Sequence, residues 1–477
     1  MQPRAVILFS APQGADRDAF IVQEAGEQQA MKREQFRRIS VERLFLLLYI
    51  PFVLAMMFVM PVGGPPDEQA HLRQIWLLST GQIGTETCTY PENLRSILAD
   101  STGGTENSVL KGEAFRTARL SAETVTEAGN EATGIYPQVS YLPQSLMMFL
   151  TRLFTDRIIL LLYSARIGSM LITGVLFYFA IRRCPAGKMI LLAIALLPLT
   201  LQEAASASCD GMAIAGMCWV AAELLRRISG NGEQKADTPL RYAGMGILTV
   251  LCKVIYAPVL LLGIMPKAVT GEEKKQKRKE NLIMAAAFLL AAVVWYLSSV
   301  MKLSGRQGLT GEAMNRFAHI LAHPLTLIGA QIRTLIQMVP GWIRQLFGVF
   351  GRLDVFSPWP LTILLGVCFL GIALTDDGLM NLIPEKKQRR KLLLLLLLAV
   401  VLCWILLSGA LMIWWTEDGA AVIRGIQGRY FLPCLFCLLL CLPKLNAGNR
   451  QQTIRNTVLL VYLLCSAATI IQLAMKV

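Results

Sequence analysis

The chain has 477 residues with 46 Lys and Arg against 32 Asp and Glu, a formal charge of +14, yet it is 54% hydrophobic and only 16% charged. These proportions exclude a collagen, a coiled coil, a disulfide-stapled secreted domain and a disordered chain. Repeated apolar runs of about twenty residues, each long enough to cross the hydrocarbon core, identify a polytopic membrane protein instead, and the basic residues fall in short clusters between those runs. That is the pattern that sets membrane orientation, so no nucleic-acid partner is expected.

In chain order, residues 1–40 are polar and read as a disordered cytoplasmic tail ahead of a transmembrane unit over 41–477. The first apolar run, Leu44 to Val62, is an uncleaved first span rather than a signal peptide. Basic clusters at 32–43, 182–188, 226–241, 267–279, 386–391 and 444–455 stay cytoplasmic, so neighbouring clusters enclose an even number of crossings. The runs 44–62 and 158–181 therefore go out and back around a first extracytoplasmic loop over 63–156. The runs 189–206 and 210–225 follow, with a tight outer turn at Ser206–Asp210. Between Arg241 and Lys267 there are only about 25 residues, too few for two spans, which predicts a re-entrant or short-helix hairpin with Lys253 at its middle. Then come 282–301, a second large extracytoplasmic region over 303–358 and spans at 359–375, 392–413, 430–443 and 456–475. These nine runs and the hairpin are counted as about ten transmembrane helices, with the amino end inside. The apolar stretch Phe317 to Val339 fits this parity only as an amphipathic helix against the outer face. No internal repeat is visible. Of the eleven cysteines, Cys88 alone lies in a long polar loop; Cys434, Cys437 and Cys441 have helical spacing without the partners of a metal site and read as core.

Chemistry concentrates where the first outer loop opens. Pro65 and Pro66 stop the first span, and Asp67 stands at the start of a helix that runs to Gly81. His71, four residues on, shares its face, while Glu68 is turned away by about 100°. A carboxylate at this place serves as a general base, as a metal ligand or simply as an N-cap. Four further outer segments carry polar groups: Tyr136 to Pro143, Ser206 to Gly211, Phe347 to Asp354 and Ile426 to Pro433. Arg352, Arg424 and Arg429 beside glycines could clamp a phosphate, or bind lipid headgroups by snorkelling. Arg166 and Lys253 must hide a cation from hydrocarbon, by neutralising a buried acid such as Asp210 or by reaching a lipid phosphate. His319 and His323 share a helix face, with a surface role favoured over a metal.

Pro65-Pro66-Asp67-Glu68-x-x-His71, Tyr136-Pro137-x-x-x-Tyr141, Ala207-Ser208-x-Asp210, Lys253-x-x-Tyr256, Gly348-x-x-Gly351-x-Leu353-Asp354 and Gln427-Gly428-Arg429-Tyr430-Phe431-x-Pro433 occur in this order over about residues 44 to 445. Together they resemble the bacterial membrane-protein family catalogued as domain of unknown function 2142. That family in turn resembles the GT-C superfamily of integral-membrane glycosyltransferases, which use polyprenyl-phosphate sugars as donors and carry an acidic motif in the first outer loop. The resemblance implies an all-α, GT-C-like fold in a bacterial cytoplasmic membrane, with amphipathic helices in the outer loops. It implies inverting transfer of a sugar to an envelope glycan or lipid acceptor outside, with Asp67 as the base and Glu68 its partner. His71, Tyr136, Tyr141, Asp210, Lys253, Tyr256, Arg352, Asp354, Arg424, Gln427, Arg429 and Tyr430 are then the substrate-binding candidates. Trp414 and Trp415 fit an interfacial aromatic belt better than sugar stacking. No cofactor is required, though Asp67 and Glu68 are the pair that would hold a divalent cation. The rival readings are a carrier or flippase for a lipid-linked sugar and a non-catalytic subunit of a polysaccharide assembly machine. The carrier would use the same arginines but would not need an acid at the first outer helix.

Overall fold

The computed structural model describes residues 39–83, 87–99, 108, 110, 112–128, 136–228, 238–263, 274–295, 297, 309–376 and 378–476. The polar tail expected over 1–40 lies outside the described residues except for its last two. The chain is mostly helical. Helix α1 (Val41–Val59) leads to the outer loop, which holds α2 (Glu68–Ser79), β1 (Thr87–Pro91), α3 (Glu92–Ala99), α4 (Glu113–Thr117), β2 (Thr124–Ala128) and α5 (Leu142–Arg152). The central bundle is α6 (Ile158–Arg183), α7 (Lys188–Ala195), α8 (Pro198–Ala205), α9 (Asp210–Ile228), α10 (Thr238–Cys252), α11 (Pro258–Leu261) and α12 (Lys274–Trp295). Then follow α13 (Leu309–Ala322), α14 (Pro324–Gly348), β3 (Val349–Phe350), β4 (Val355–Phe356), α15 (Trp359–Thr375), α16 (Gly378–Leu382), α17 (Lys386–Trp414), α18 (Leu432–Leu440) and α19 (Gln451–Lys476).

Among the described residues, five helical stretches are long and apolar enough to cross a membrane: Val41–Val59, Ile158–Arg183, Trp359–Leu382, Lys386–Trp414 and Gly448–Lys476. A sixth is α7 with α8 if the 60° bend between them is counted within one span. Pro198 at the start of α8 explains that break, because proline cannot continue the hydrogen-bond ladder of α7. The remaining expected crossings are helical but shorter or more polar; Leu240–Cys252, Leu282–Trp295 and Gly428–Leu440 are brief apolar helices. The segment expected to form a hairpin around Lys253 contains α10, a 3-10 turn over Val254–Tyr256 and α11.

Two expectations are corrected. The fold is not purely helical, since β1 pairs antiparallel with β2 and β3 with β4. The amphipathic helix expected over 317–339 is two helices, because Pro324 ends α13 at His323 and begins α14, which runs on to Gly348. On α14 the buried face carries Gln331, Thr334 and Trp342, and the exposed face carries Leu325, Ile332, Ile336 and Ile343. The exposed face is thus rich in large apolar side chains, as expected of a helix that lies against a membrane.

Close packing holds the bundle at its centre. A methyl group on Gly174 of α6 would meet the Tyr49 ring at 2.7 Å, and the Tyr49 hydroxyl donates to the Met170 carbonyl at 2.9 Å, so α1 lies directly on α6. Small residues at such crossings let backbones approach where no hydrophobic drive exists. Tyr462 of α19 likewise donates to the Ala193 carbonyl at 2.6 Å. A smaller apolar cluster of Ala330, Trp342, Leu407, Ile423 and Ile426 seals α14 against α17. The ten cysteines expected in the core are buried or half-buried, Cys88 is buried as well, and no disulfide joins any two of them.

Candidate functional site

Two acidic neighbours begin α2, and the backbone sends them to different places. Glu68 points inward and is fully buried. Its Oε1 accepts from Arg166 Nε and from the Ala207 amide, both at 2.8 Å. Its Oε2 accepts from Arg166 Nη2 at 2.7 Å and from the Gly63 amide at 2.8 Å. Arg166 uses its remaining donors on the carbonyls of Met57, Met60 and Pro61 at 3.0, 2.7 and 2.7 Å. Five guanidinium N–H groups and four carboxylate lone-pair positions are thus consumed. The unit fastens the end of α1, the start of α2, the third turn of α6 and the turn before α9. Arg166 therefore neutralises Glu68 rather than Asp210. No lone pair of Glu68 remains for a metal ion or a substrate proton.

Asp67 behaves otherwise. Its backbone is left-handed, φ 63°, a conformation rare for a side chain with a Cβ. Although it occupies the N-cap position, its carboxylate makes no capping bond. Instead it accepts from Arg429 Nη2, and 58% of the side chain is exposed. Burial works against its charge, but the charge and hydrogen bond of Arg429, together with His71, outweigh it and hold the carboxyl below the usual range.

Arg429 is the hub. It lies in the 3-10 turn Gly428–Phe431 and is almost wholly buried. Its Nη1 donates to the Pro66 carbonyl at 3.1 Å and to Asp210 Oδ2 at 3.2 Å, and its Nε to Gln427 Oε1 at 2.8 Å. Glu203 Oε2 lies 3.8 Å from the same Nη1. Lys253 completes the cluster, its Nζ 2.7 Å from Asp210 Oδ1. The Tyr430 ring stands between the two cations, 4.9 Å from Lys253 Nζ and 5.2 Å from the Arg429 guanidinium carbon, and Tyr256 donates to the Tyr430 carbonyl at 3.0 Å. Residues 67, 203, 210, 253 and 429 thus converge from five chain segments.

Around this cluster, His71 is buried with Nδ1 2.7 Å from the Tyr141 hydroxyl, and its ring lies 6.0 Å from that of Tyr136. Burial pushes the imidazole down to about 4, against the pull of Asp210 and Asp67, so it is neutral at pH 7. Arg352 donates to the Gly63 carbonyl at 2.9 Å and to Gln69 Oε1 at 2.6 Å. It sits in the β3–β4 turn, where Gly351 and Leu353 both take positive φ and the Gly351 amide donates to Gln202 Oε1 at 2.9 Å. This hairpin steadies the loop before Asp67 from the other side.

Not every candidate joins. Arg424 is exposed and pairs with Glu417 at 3.3 Å. Asp354 lies on the exposed tip of the hairpin, and Trp414 and Trp415 are exposed. The rings of His319 and His323 lie on the surface 4.8 Å apart and tilted by 51°, and among the described residues no group of three or more His, Cys, Asp or Glu is placed to hold a metal. One member had not been singled out: Glu203, an acid inside the apolar run 189–206. Its signal was available, since an ionisable residue in such a run is a functional candidate by default.

The family of predicted membrane proteins catalogued as DUF2142 has a model that matches residues 50–439. The chain belongs to that family. No curated protein and no solved structure matches it.

Proposed function

We propose that this protein is an integral-membrane glycosyltransferase that moves a sugar from a polyprenyl-phosphate donor to an envelope glycan or lipid acceptor on the extracytoplasmic face. The observation that carries the reading is the pairing of a half-exposed carboxylate in a left-handed backbone, Asp67, with a buried guanidinium, Arg429. Strained backbone persists where the surrounding structure over-determines it, and such positions cluster at working sites. In this reading Asp67, held ionised, accepts the proton of an acceptor hydroxyl, whose oxygen attacks the anomeric carbon with inversion as the lipid phosphate departs. Phosphate is already a good leaving group, so the site's task is electrostatic. Arg429 and Lys253 stabilise the charge gathering on it. Glu68 acts through position alone, by fixing the start of α2. The basic clusters at the other ends of the helices support the outer location, and the apolar outer faces of the bundle contact membrane lipid.

The test is transfer by the purified full-length protein in nanodiscs, using a panel of polyprenyl-phosphate sugars. Asp67→Asn is expected to lower transfer by 10²-fold or more, the scale of a general base, while donor binding is retained. Transfer unchanged in Asp67→Asn removes Asp67 as the base. Export of a lipid-linked sugar without transfer would favour the carrier reading, and inactivity with every donor would favour the assembly subunit.

A further inference from the structure

Between α8, α14 and the β3–β4 hairpin lies a narrow cleft whose walls include Pro66, Gln202, Glu203, Gln345, Gly351 and Arg429. Glu203 is 1% exposed, and its Oε2 has no hydrogen-bond partner among the described residues. Its Oε1 meets only the Gln202 amide, at 3.5 Å. The charges around it are Arg429 at 3.8 Å and, bound to that arginine, Asp210 at 3.2 Å and Asp67; Lys253, in short contact with Asp210, adds a second positive charge to the group. Gln345 from α14 and the Gly351 backbone are neutral. Three carboxylates therefore share two cations. The two aspartates hold the short contacts with them, and Glu203 holds the longest.

A surplus buried negative charge is strongly disfavoured, and so is a buried oxygen without a partner. One proton on Glu203 removes the surplus and gives the carboxyl a donor directed into the cleft. We propose that Glu203 is the proton-binding site of this cluster, carrying one exchangeable proton that sets the charge of the cleft. The proton comes from solvent through the cleft and returns to it, and only the O–H bond is made or broken. With the proton bound, Asp67 and Asp210 balance Arg429 and Lys253, and an anion approaching Arg429 meets no net charge. Without it, the same anion is repelled. That consequence for a phosphate-bearing donor rests on the transferase reading; the proton site itself does not.

The test is an infrared pH titration of the purified full-length protein in light and heavy water. A carboxylic-acid carbonyl band that titrates above the range of the exposed carboxyls is expected, absent in Glu203→Gln and present in Asp67→Asn. Because Asp67→Asn removes one negative neighbour, its band should titrate about one pH unit lower, and in Lys253→Met about one unit higher, the scale of a single nearby charge. Survival of that band in Glu203→Gln, its absence from the unaltered protein, or midpoints unmoved in both charge variants would each overturn the proposal. Should Glu203→Gln fail to fold, the opposite shifts in the other two variants still decide it. Neither donor nor acceptor enters the measurement, so failure to detect sugar transfer leaves this result standing.

Discussion

Asp67 and Glu68 are adjacent, carry the same charge and begin the same helix, yet they belong to centres built in opposite ways. Around Glu68 every donor and acceptor is matched: one arginine, one carboxylate, three carbonyls and two amides, with no opening to solvent. Around Asp67 the charges are unmatched, with Glu203 Oε2 unsatisfied, the backbone strained and a cleft alongside. A saturated centre can do nothing but hold its neighbours in place. An unsaturated one has capacity left for a ligand or a proton. In a membrane protein, where buried charge alone does not distinguish architecture from function, the state of the hydrogen bonds does.

The largest effect expected tests the closed side of this contrast. Removing one partner of a buried, hydrogen-bonded ion pair leaves the other uncompensated, which costs about 3–5 kcal/mol. Arg166→Met and Glu68→Gln should each lower the thermal unfolding midpoint of the detergent-purified protein strongly and reduce its yield. The double variant Glu68→Leu/Arg166→Met should recover part of that loss, since no orphaned charge remains. If either single change is tolerated without a drop in the midpoint, Glu68 is not an architectural residue and the contrast fails.

A middle-sized effect lies between the two centres, at His71. An imidazole titrates near 6.5 in the unfolded chain and at about 4 here, where burial excludes the charge. The unfolded state therefore binds the proton first. The stability supplied by neutral His71 is complete above pH 6.5, declines as pH falls through the window from 6.5 to 4 and is then fully lost, a total of about 3 kcal/mol. His71→Asn, which keeps a polar atom toward the Tyr141 hydroxyl, should flatten that part of the pH profile of the unfolding midpoint. An unchanged acid slope would show that His71 is not the group being titrated.

How much of this was visible beforehand follows from the same physics. Asp67, Lys253 and Arg429 stand out because a charge beside apolar sequence needs a reason, and the prolines before Asp67 fix where its helix begins. The division of labour between residues 67 and 68 was legible only as a rotation about the helix axis. That the inward direction ends at Arg166, 98 residues away, is a tertiary fact. Glu203 was lost because an apolar run read as one straight span averages its single acid away; the bend at Pro198 is what delivers it to the cluster. The β1–β2 pair was missed for a related reason: two five-residue threonine-rich strands are separated by two short helices, so no hairpin turn announces them. Arg424 and Arg429 looked equivalent as arginines beside glycines, and only the fold sends one to Glu417 at the surface and the other to the centre of the cluster.

The smallest effect is the sharpest test of the open side. Asp67→Asn keeps the size of the side chain and a residue type that tolerates positive φ, and it deletes a charge from a cluster that holds one carboxylate too many. The ion pair it removes is half-exposed, a class that contributes little, while Arg429 retains Asp210 and Glu203 as partners. Stability should therefore stay within about 1 kcal/mol of the parent, shifted if anything upward. One residue further along the same turn, Glu68→Gln should be ruinous. Unfolding midpoints measured side by side for these two neutralisations decide the matter. If Asp67→Asn destabilises as much as Glu68→Gln, the cluster around Arg429 is a second architectural lock, and its unmatched charge has no function to explain it.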